Sequence, residues 1–153
     1  MTKLRTDDPF MPADDYGRSL TMPPKPALGI NLLVRDVATA TAFQRDVLDC
    51  EIIYQDPDFA VVAFNGSEWM VHADHTYSDN ALTGVVQGAE TRGAGVELRL
   101  YGCDPDQAEA RAHAQGAIVL AGSIDKPHGL RECVIIDPDG YAWVPGVALA
   151  KGT

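Results

Sequence analysis

Short runs of alternating apolar and polar residues recur along the chain, and this period of two predicts β-strands. In residues 28–34 an apolar residue stands at every second position. In residues 96–101 the apolar positions alternate with Glu97, Arg99 and Tyr101. Other short segments rich in β-branched and aromatic residues also have the length of strands. They lie at residues 51–56, 59–64, 68–73, 118–123, 131–136 and 141–147.

Two segments carry the spacing and the start signals of helices. Asp36 and Asp104 stand where the carboxylate of an N-cap residue accepts free backbone N–H groups. Pro105 suits the first position of a helix. The predicted helices therefore cover residues 37–48 and 105–115.

Turn signals separate the last two strands of each half. Asn-Gly-Ser at residues 65–67 and Asp-Pro-Asp-Gly at residues 137–140 both favour tight turns. The order strand-helix-strand-strand-strand therefore occurs twice. It predicts an α+β fold in which two tandem βαβββ modules form a curved, mostly antiparallel sheet around a shared cleft.

The predicted domain organisation follows from this repeat. Residues 28–150 form a single domain, with module one at about 28–74, an irregular linker at about 75–94 and module two at about 95–148. Residues 1–27 are a proline-rich N-terminal extension that cannot form a regular core element. Two interpretations stay open for it, a mobile tail and an arm that packs on a partner subunit.

Composition supports a folded core and limits the partners. Hydrophobic residues make up 46% of the chain, which is enough for a core. The formal net charge of −10 argues against nucleic acid and anionic membranes, because phosphate binding needs a basic face. The negative charge is compatible with a cationic ligand. The alternative is that it only increases the solubility of the protein.

Location is predicted from cysteine usage and from apolar runs. Three cysteines are too few, and odd in number, for a disulfide framework, so a cytoplasmic location is expected. No apolar run reaches the roughly 18 residues of a membrane span. The first eight residues lack the hydrophobic core of a signal peptide.

Several short motifs in this order resemble the vicinal oxygen chelate superfamily. They are Ile-Asn-Leu-Leu-Val-Arg-Asp at residues 30–36 leading into a helix, residues 43–48 within it, and Gly-Leu-Arg-Glu at 129–132 followed by the turn at 137–140. The superfamily includes glyoxalase I, extradiol dioxygenases, fosfomycin-resistance enzymes and bleomycin-resistance proteins. The resemblance covers roughly residues 28–148 and implies the fold, but not a particular reaction.

The resemblance also implies where a divalent metal would bind, and most of these positions lack a ligand. Metal-dependent members place ligands at the positions of Gly29, Met70, Glu97 and Val144. Only Glu97 of these is a suitable ligand, and a metal site normally needs at least three. No metal and no other cofactor are therefore predicted. The alternative is a divalent metal held by Glu97 and His72. A shift of register in the fourth strand would place His72, instead of Met70, at the metal position.

Strand parity predicts which side chains line the cleft. Glu97 and His72 are the candidate catalytic residues. The predicted ligand-binding residues are Asn31, Leu33, Met70, Arg99, Tyr101, His128 and Val144, with Ala142 beside them. Glu97 and Arg99 are neighbours on one strand face and can pair. Either they form a salt bridge that only satisfies two buried charges, or Arg99 holds the Glu97 carboxylate in place for a ligand. Trp69 and Trp143 are expected to point away from the cleft and to pack under the helices.

Three functional hypotheses follow. In character the chain most resembles the bleomycin-resistance branch, whose members are metal-free, acidic and dimeric. This implies a homodimer that sequesters a cationic or aromatic compound, with antibiotic resistance as one use. The second hypothesis is a lyase, isomerase or dioxygenase that uses Glu97 and His72, with or without a metal. The third is an assembly role for the proline-rich arm. Whether the modules pair within a chain or swap across a dimer stays open.

Overall fold

The computed structural model describes residues 28–151, so the predicted extension at residues 1–27 lies outside the described residues. Eight strands and two longer helices follow the predicted order. The strands are β1 Asn31–Val34, β2 Glu51–Gln55, β3 Phe59–Phe64, β4 Ser67–Ala73, β5 Glu97–Tyr101, β6 Ile118–Asp125, β7 Leu130–Ile136 and β8 Ala142–Ala148. The longer helices are α1 Val37–Asp46 and α3 Pro105–Ala114.

Hydrogen bonds join these strands into two four-stranded sheets with the same topology, β1-β4-β3-β2 and β5-β8-β7-β6. In each sheet the first pair is parallel and the other two pairs are antiparallel. This arrangement confirms the predicted α+β fold of two βαβββ modules. It also makes β1 and β5 edge strands.

The helices begin where the caps predict. The Asp36 carboxylate accepts the Thr39 backbone N–H at 2.8 Å, and the Asp104 carboxylate accepts the Gln107 backbone N–H at 3.2 Å. Each carboxylate satisfies a donor that the first turn of a helix leaves unpaired. None of the helices within the described residues is long and apolar enough to cross a membrane.

The turns form because the residues at them tolerate a left-handed backbone. Asn65 and Gly66 have φ angles of 47° and 83°, as the tight hairpin between β3 and β4 requires. Gly140 has φ 90°, and a Cβ there would lie 2.5 Å from the Glu90 carbonyl oxygen. The linker therefore packs directly on the turn between β7 and β8.

The linker differs from the sequence prediction. Residues 75–94 were predicted to be irregular, but the structure has a 3₁₀-helix at Asp74–Tyr77 and a short helix α2 at Thr83–Val86. The Thr83 hydroxyl donates to the Tyr77 carbonyl and ties the two together. Helices of a single turn are too short to show a hydrophobic period, so the pattern of the sequence could not indicate them.

One hydrophobic core spans both modules. The rings of Trp69 and Trp143 meet with centroids 5.6 Å apart. The Arg111 side chain donates to the Val47 carbonyl at 2.9 Å, from the helix of module two to the end of the helix of module one. Both tryptophans are buried in this core, as predicted.

A polar cluster also joins the modules, at the other end of β1. The Asp139 carboxylate of module two accepts the backbone N–H of Arg35 at 2.9 Å. The Tyr141 hydroxyl donates to the Leu33 carbonyl at 2.8 Å, and Arg92 of the linker donates to the same carbonyl. The modules of one chain are therefore held together by apolar and polar contacts.

Candidate functional site

A cavity of about 500 Å³ is lined by residues of both modules. This volume lies in the range of sites for small organic molecules. Because β5 is an edge strand, the cavity reaches side chains on both of its faces. Among the residues that the structure describes, the lining consists of Leu28, Ile30, Leu32, Phe64, Asn65, Gly66, Ser67, Glu68, Trp69, Glu97, Leu98, Arg99, Leu100, Tyr101 and Trp143.

The two tryptophans occupy equivalent positions, each three residues after a turn glycine. The Trp69 indole N–H donates to the side chain of Gln44 at 2.8 Å. The Trp143 indole N–H donates to the Asp137 carboxylate at 2.9 Å. Both indole donors are therefore used inside the protein. The cavity lining includes both tryptophans, although they were expected to point away from the cleft and are only 6% and 2% exposed.

A charged group lies on β5 at the same cavity. The Arg99 guanidinium donates to the Glu97 carboxylate at 2.8 Å, which is the pair that strand parity predicts. A second and more buried partner is Glu132 on β7, which also accepts from Arg99. The guanidinium lies 5.9 Å from the centroid of the Tyr101 ring. One cation is thus shared between two carboxylates.

Sequence reasoning missed Glu132. The residue is opposite Gly146 in the register of β7 and β8, where the glycine has no side chain. Burial by itself raises the pKa of Glu132, but the hydrogen bond and charge of Arg99 outweigh it and hold that pKa below its usual range. Glu132 is the last residue of the Gly-Leu-Arg-Glu motif, and this position was the available signal. The motif served only to recognise the fold, so the contact of its glutamate with Arg99 was not considered.

His128 lies beside this group. Its Nε2 atom is 3.4 Å from the Glu132 carboxylate, and its side chain is about half exposed, at 53%. Val144 is buried beside Arg99 in the register of β5 and β8. Their predicted contact with a ligand stays a prediction.

His72 lies in different surroundings, on the sheet of module one. Its Nδ1 atom is 2.6 Å from the Asn31 side-chain oxygen, and the Asn31 amide donates to the Tyr77 hydroxyl at 2.6 Å. The ring stacks on Phe59 with centroids 5.5 Å apart. Burial lowers the pKa of His72, so the imidazole is neutral at pH 7.

The structure thus divides the predicted site residues into two groups. Leu33 and Met70 are next to His72 and Asn31 in the parallel register of β1 and β4. The other group is Glu97, Arg99 and Tyr101, which line the cavity. The lining includes Glu97 and not His72, so the predicted catalytic pair stays a prediction. Sequence reasoning missed Phe59 and Tyr77 as neighbours of His72.

Comparison with known proteins identifies the fold. The sequence matches no protein-family model and no curated protein. Solved structures do match. One is a glyoxalase/bleomycin resistance protein/dioxygenase family enzyme from Burkholderia phytofirmans PsJN, with 22% identity, coverage of 78% of this chain and 96% of that chain, and a TM-score of 0.63. The chain has the vicinal oxygen chelate fold.

Two further structures with this fold are similar over most of the chain. A glyoxalase/bleomycin resistance protein/dioxygenase from Nocardioides has 19% identity, covers 92% of this chain and 95% of its own, and has a TM-score of 0.62. A lactoylglutathione lyase from Agrobacterium tumefaciens has 22% identity, covers 82% of this chain and 95% of its own, and has a TM-score of 0.59. These identities support the shared fold and no particular activity.

The residues that stand at the expected metal positions, all within the described part of the chain, do not fit a divalent metal. Gly29 has no ligand atom, Met70 offers a thioether, and Val144 is aliphatic and buried. Within residues 28–151, no group of three or more His, Cys, Asp or Glu side chains could hold a metal ion. Glu97 alone is too few for a site, since three protein ligands are normally needed.

The cysteines do not supply a nucleophile either. Cys50, Cys103 and Cys133 are free and buried. Burial raises the pKa of Cys50 to about 12 and the pKa values of Cys103 and Cys133 to about 11. All three therefore stay protonated near neutral pH, and a thiol is a poor nucleophile compared with a thiolate.

Proposed function

We propose that this protein binds a small organic molecule in the cavity between its modules, without a divalent metal. The observation that carries the proposal is the cavity itself, which has a suitable volume and two tryptophan rings in its lining. Sites for small molecules are lined mainly by apolar and aromatic side chains with a few polar groups. Glu97 and Arg99 supply such polar groups here.

The proposed ligand is cationic or aromatic. The net charge of −10 raises the local concentration of cations, and the mainly apolar lining of the cavity suits an aromatic body. A cytoplasmic homodimer that sequesters such a compound, with antibiotic resistance as one use, is part of this proposal. The three free cysteines are consistent with a reducing compartment.

The competing hypothesis is an enzyme in which Glu97 and His72 act together. A metal-free lyase or isomerase of this kind needs both groups within reach of one substrate. The His72 ring is held by Asn31 in module one. Of the two proposed catalytic residues, Glu97 is part of the cavity lining and His72 is not. The geometry therefore favours binding over this reaction.

A cavity-filling variant tests the proposal. Ile30 lines the cavity and is 37% exposed, whereas Ile53 is 43% exposed and is not part of the lining. We expect the wild-type protein to bind 1-naphthylmethylamine saturably, with one site per chain, in a calorimetric titration. Ile30→Trp should weaken this binding by about tenfold or more, because the indole occupies the cavity.

Ile53→Trp is the matched control and should bind as the wild type does. Equal binding by both variants would place the site elsewhere. Failure of the wild type to bind either 1-naphthylmethylamine or 1-naphthalenemethanol would overturn the proposed function.

A further inference from the structure

We propose that the N-terminal extension, residues 1–27, packs on one face of the module-one sheet of its own chain. This face carries the side chains of Leu33, Phe59, Val61, Met70 and His72, and we call it the module-one face. None of these five residues is part of the cavity lining, so the proposal does not depend on the ligand of that cavity.

The strand register places these five side chains on one side of the sheet. Phe59 is opposite His72, and Val61 is opposite Met70, in the antiparallel pair of β3 and β4. Leu33 is beside His72 in the parallel pair of β1 and β4. Residues that pair across neighbouring strands project to the same side of a sheet, so the five side chains form one mainly apolar surface.

Helix α1 covers the opposite side of this sheet. Val62 and Val71 alternate with the residues of the module-one face along β3 and β4, and they share a hydrophobic core with Phe43 of α1. In the described part of the chain, α1 is the only α-helix with extensive contacts to β2, β3 and β4. A sheet of this kind has its second side in water unless a further layer covers it.

The module-one face is nevertheless buried. Leu33, Phe59 and His72 are buried, and Val61 is only 1% exposed. Tyr77 of the linker contacts the His72 ring at one end of this face. Burial that extends along β3 to Val61 indicates a further layer over the sheet.

Module two provides a matched comparison. The residue after Val61 is opposite Trp69, and the residue after Val134 is opposite Trp143. Because the two tryptophans hold equivalent positions, the two valines do as well. Val134 is partly exposed, whereas Val61 is buried. The βαβββ unit therefore does not bury this position by itself.

The extension joins the domain close to this face. It is followed by Leu28 and then by β1, which lies beside β4 in the same sheet. Neighbouring strands are about 4.8 Å apart, so the path from β1 across β4 to β3 is about 10 Å. A segment of 27 residues can span up to about 90 Å, so its length is more than sufficient.

The composition of the extension suits an apolar surface. Five of its residues are prolines, which lack a backbone N–H group, so fewer donors need partners when the segment lies across side chains. Its four basic and four acidic residues cancel, so the rest of the chain carries the net charge of −10 and does not repel it as a whole. Its larger apolar side chains are Leu4, Phe10, Met11, Tyr16, Leu20 and Met22.

The packed extension closes the module-one face to ligands. Met70 and His72 then lie under a segment of the same chain, and the cavity at the junction of the modules stays open. His72 and Glu97 would thus differ in access as well as in position.

A spin label in the extension of the full chain tests this proposal. Burial raises the pKa of Cys50 to about 12 and the pKa values of Cys103 and Cys133 to about 11, so a maleimide label at pH 7 selects the thiol introduced by Ser19→Cys. We expect the methyl signals of Val61 to be lost in a ¹H–¹³C spectrum. They should return when ascorbate reduces the label.

Two controls accompany this measurement. The methyl signals of Val134, at the matched position of module two, should be retained in the same spectrum. A label introduced by Lys151→Cys, at an exposed residue after β8, should leave the Val61 signals in place.

A mixed sample identifies the chain that supplies the segment. Spin-labelled chains without isotope are mixed in urea with isotope-labelled chains without a spin label, and the mixture is refolded. We expect Val61 to keep its signals in this sample, because each extension covers its own chain. Loss of the signals here would show that a second copy supplies the segment, and it would overturn the proposal.

Two other results would also overturn it. They are retention of the Val61 signals when label and isotope are in one chain, and equal loss at Val61 and Val134. Because these spectra are recorded without a ligand, their outcome is independent of the calorimetric test of the proposed function.

Discussion

At the scale of single residues, the contacts of Arg99 with Glu97 and Glu132 show how a charge is kept inside a mostly apolar sheet face. The Glu132 side chain is only 8% exposed, and that of Arg99 is 26% exposed. A buried carboxylate is tolerated when an opposite charge and hydrogen bonds compensate for the lost water. Here Arg99 supplies the charge, and its second hydrogen bond goes to the more exposed Glu97.

Removing the charge of Glu132 should therefore be costly near neutral pH. We expect Glu132→Gln to lower the free energy of unfolding by about 1–3 kcal/mol at pH 7, because Arg99 loses its most buried partner. The pKa of Glu132 is lowered in the folded state. Its stabilisation is thus present above the unfolded value of about 4.3 and is lost as the pH falls through the lower folded value.

Urea unfolding of the wild type and the variant from about pH 6 to about pH 3 measures this effect. The difference between them should shrink as the pH falls. Glu97→Gln is the control, and it should cost less than about 1 kcal/mol because its carboxylate is mostly exposed. A difference for Glu132→Gln that stays constant down to pH 3 would contradict the assignment of charge.

At the scale of elements, each of the two longer helices begins at one capping carboxylate. The Asp36 side chain accepts both the backbone N–H and the hydroxyl of Thr39, at 2.8 Å and 2.6 Å. These bonds fix the point at which β1 gives way to α1. The same device at Asp104 fixes the start of α3, so the two modules use one local signal.

Loss of the Asp36 cap should lower the stability of the whole domain. We expect Asp36→Ala to lower the Tm by about 2–5 °C, since a backbone donor of the first turn is left unpaired. Asp36→Ser keeps a side-chain oxygen at the cap and should recover most of this loss. Thermal unfolding followed by circular dichroism measures both. An equal loss in the two variants would show that the charge, and not the cap, matters.

The elements were also the part of the fold that the sequence could predict. Caps, turns and alternation act over a few residues, so the bounds of β3 and the starts of α1 and α3 agree with the structure. β1 begins at Asn31, although alternation predicted a start at residue 28. Alternation reports a strand-like sequence, whereas pairing with β4 decides where the ladder begins.

At the scale of the whole molecule, the two modules contact each other in an approximately symmetric way. The turn of module one contacts β5, since the Asn65 amide donates to the Tyr101 carbonyl at 3.0 Å. The residues of the turn in module two contact the end of β1, through Asp139 and Tyr141. Trp69 and Trp143 meet between these two contacts. The cavity lies along this junction.

This junction could not be predicted from the sequence. Strand parity correctly paired Glu97 with Arg99, because both lie on one strand. It could not bring Trp69 and Trp143 together, since their contact joins residues far apart in the chain. The contact of Arg99 with Glu132 has the same origin. The sequence therefore indicated the Glu97–Arg99 contact on β5, but not the cavity beside it.

The most direct test of the central claim is ligand binding in the absence of metal. The protein would be purified without a His-tag, treated with EDTA, and shown by elemental analysis to hold far less than one metal ion per chain. A calorimetric titration with 1-naphthylmethylamine would follow, before and after addition of zinc or manganese. We expect saturable binding with the same affinity in both. Binding that appears only after a metal is restored would contradict metal-independent recognition.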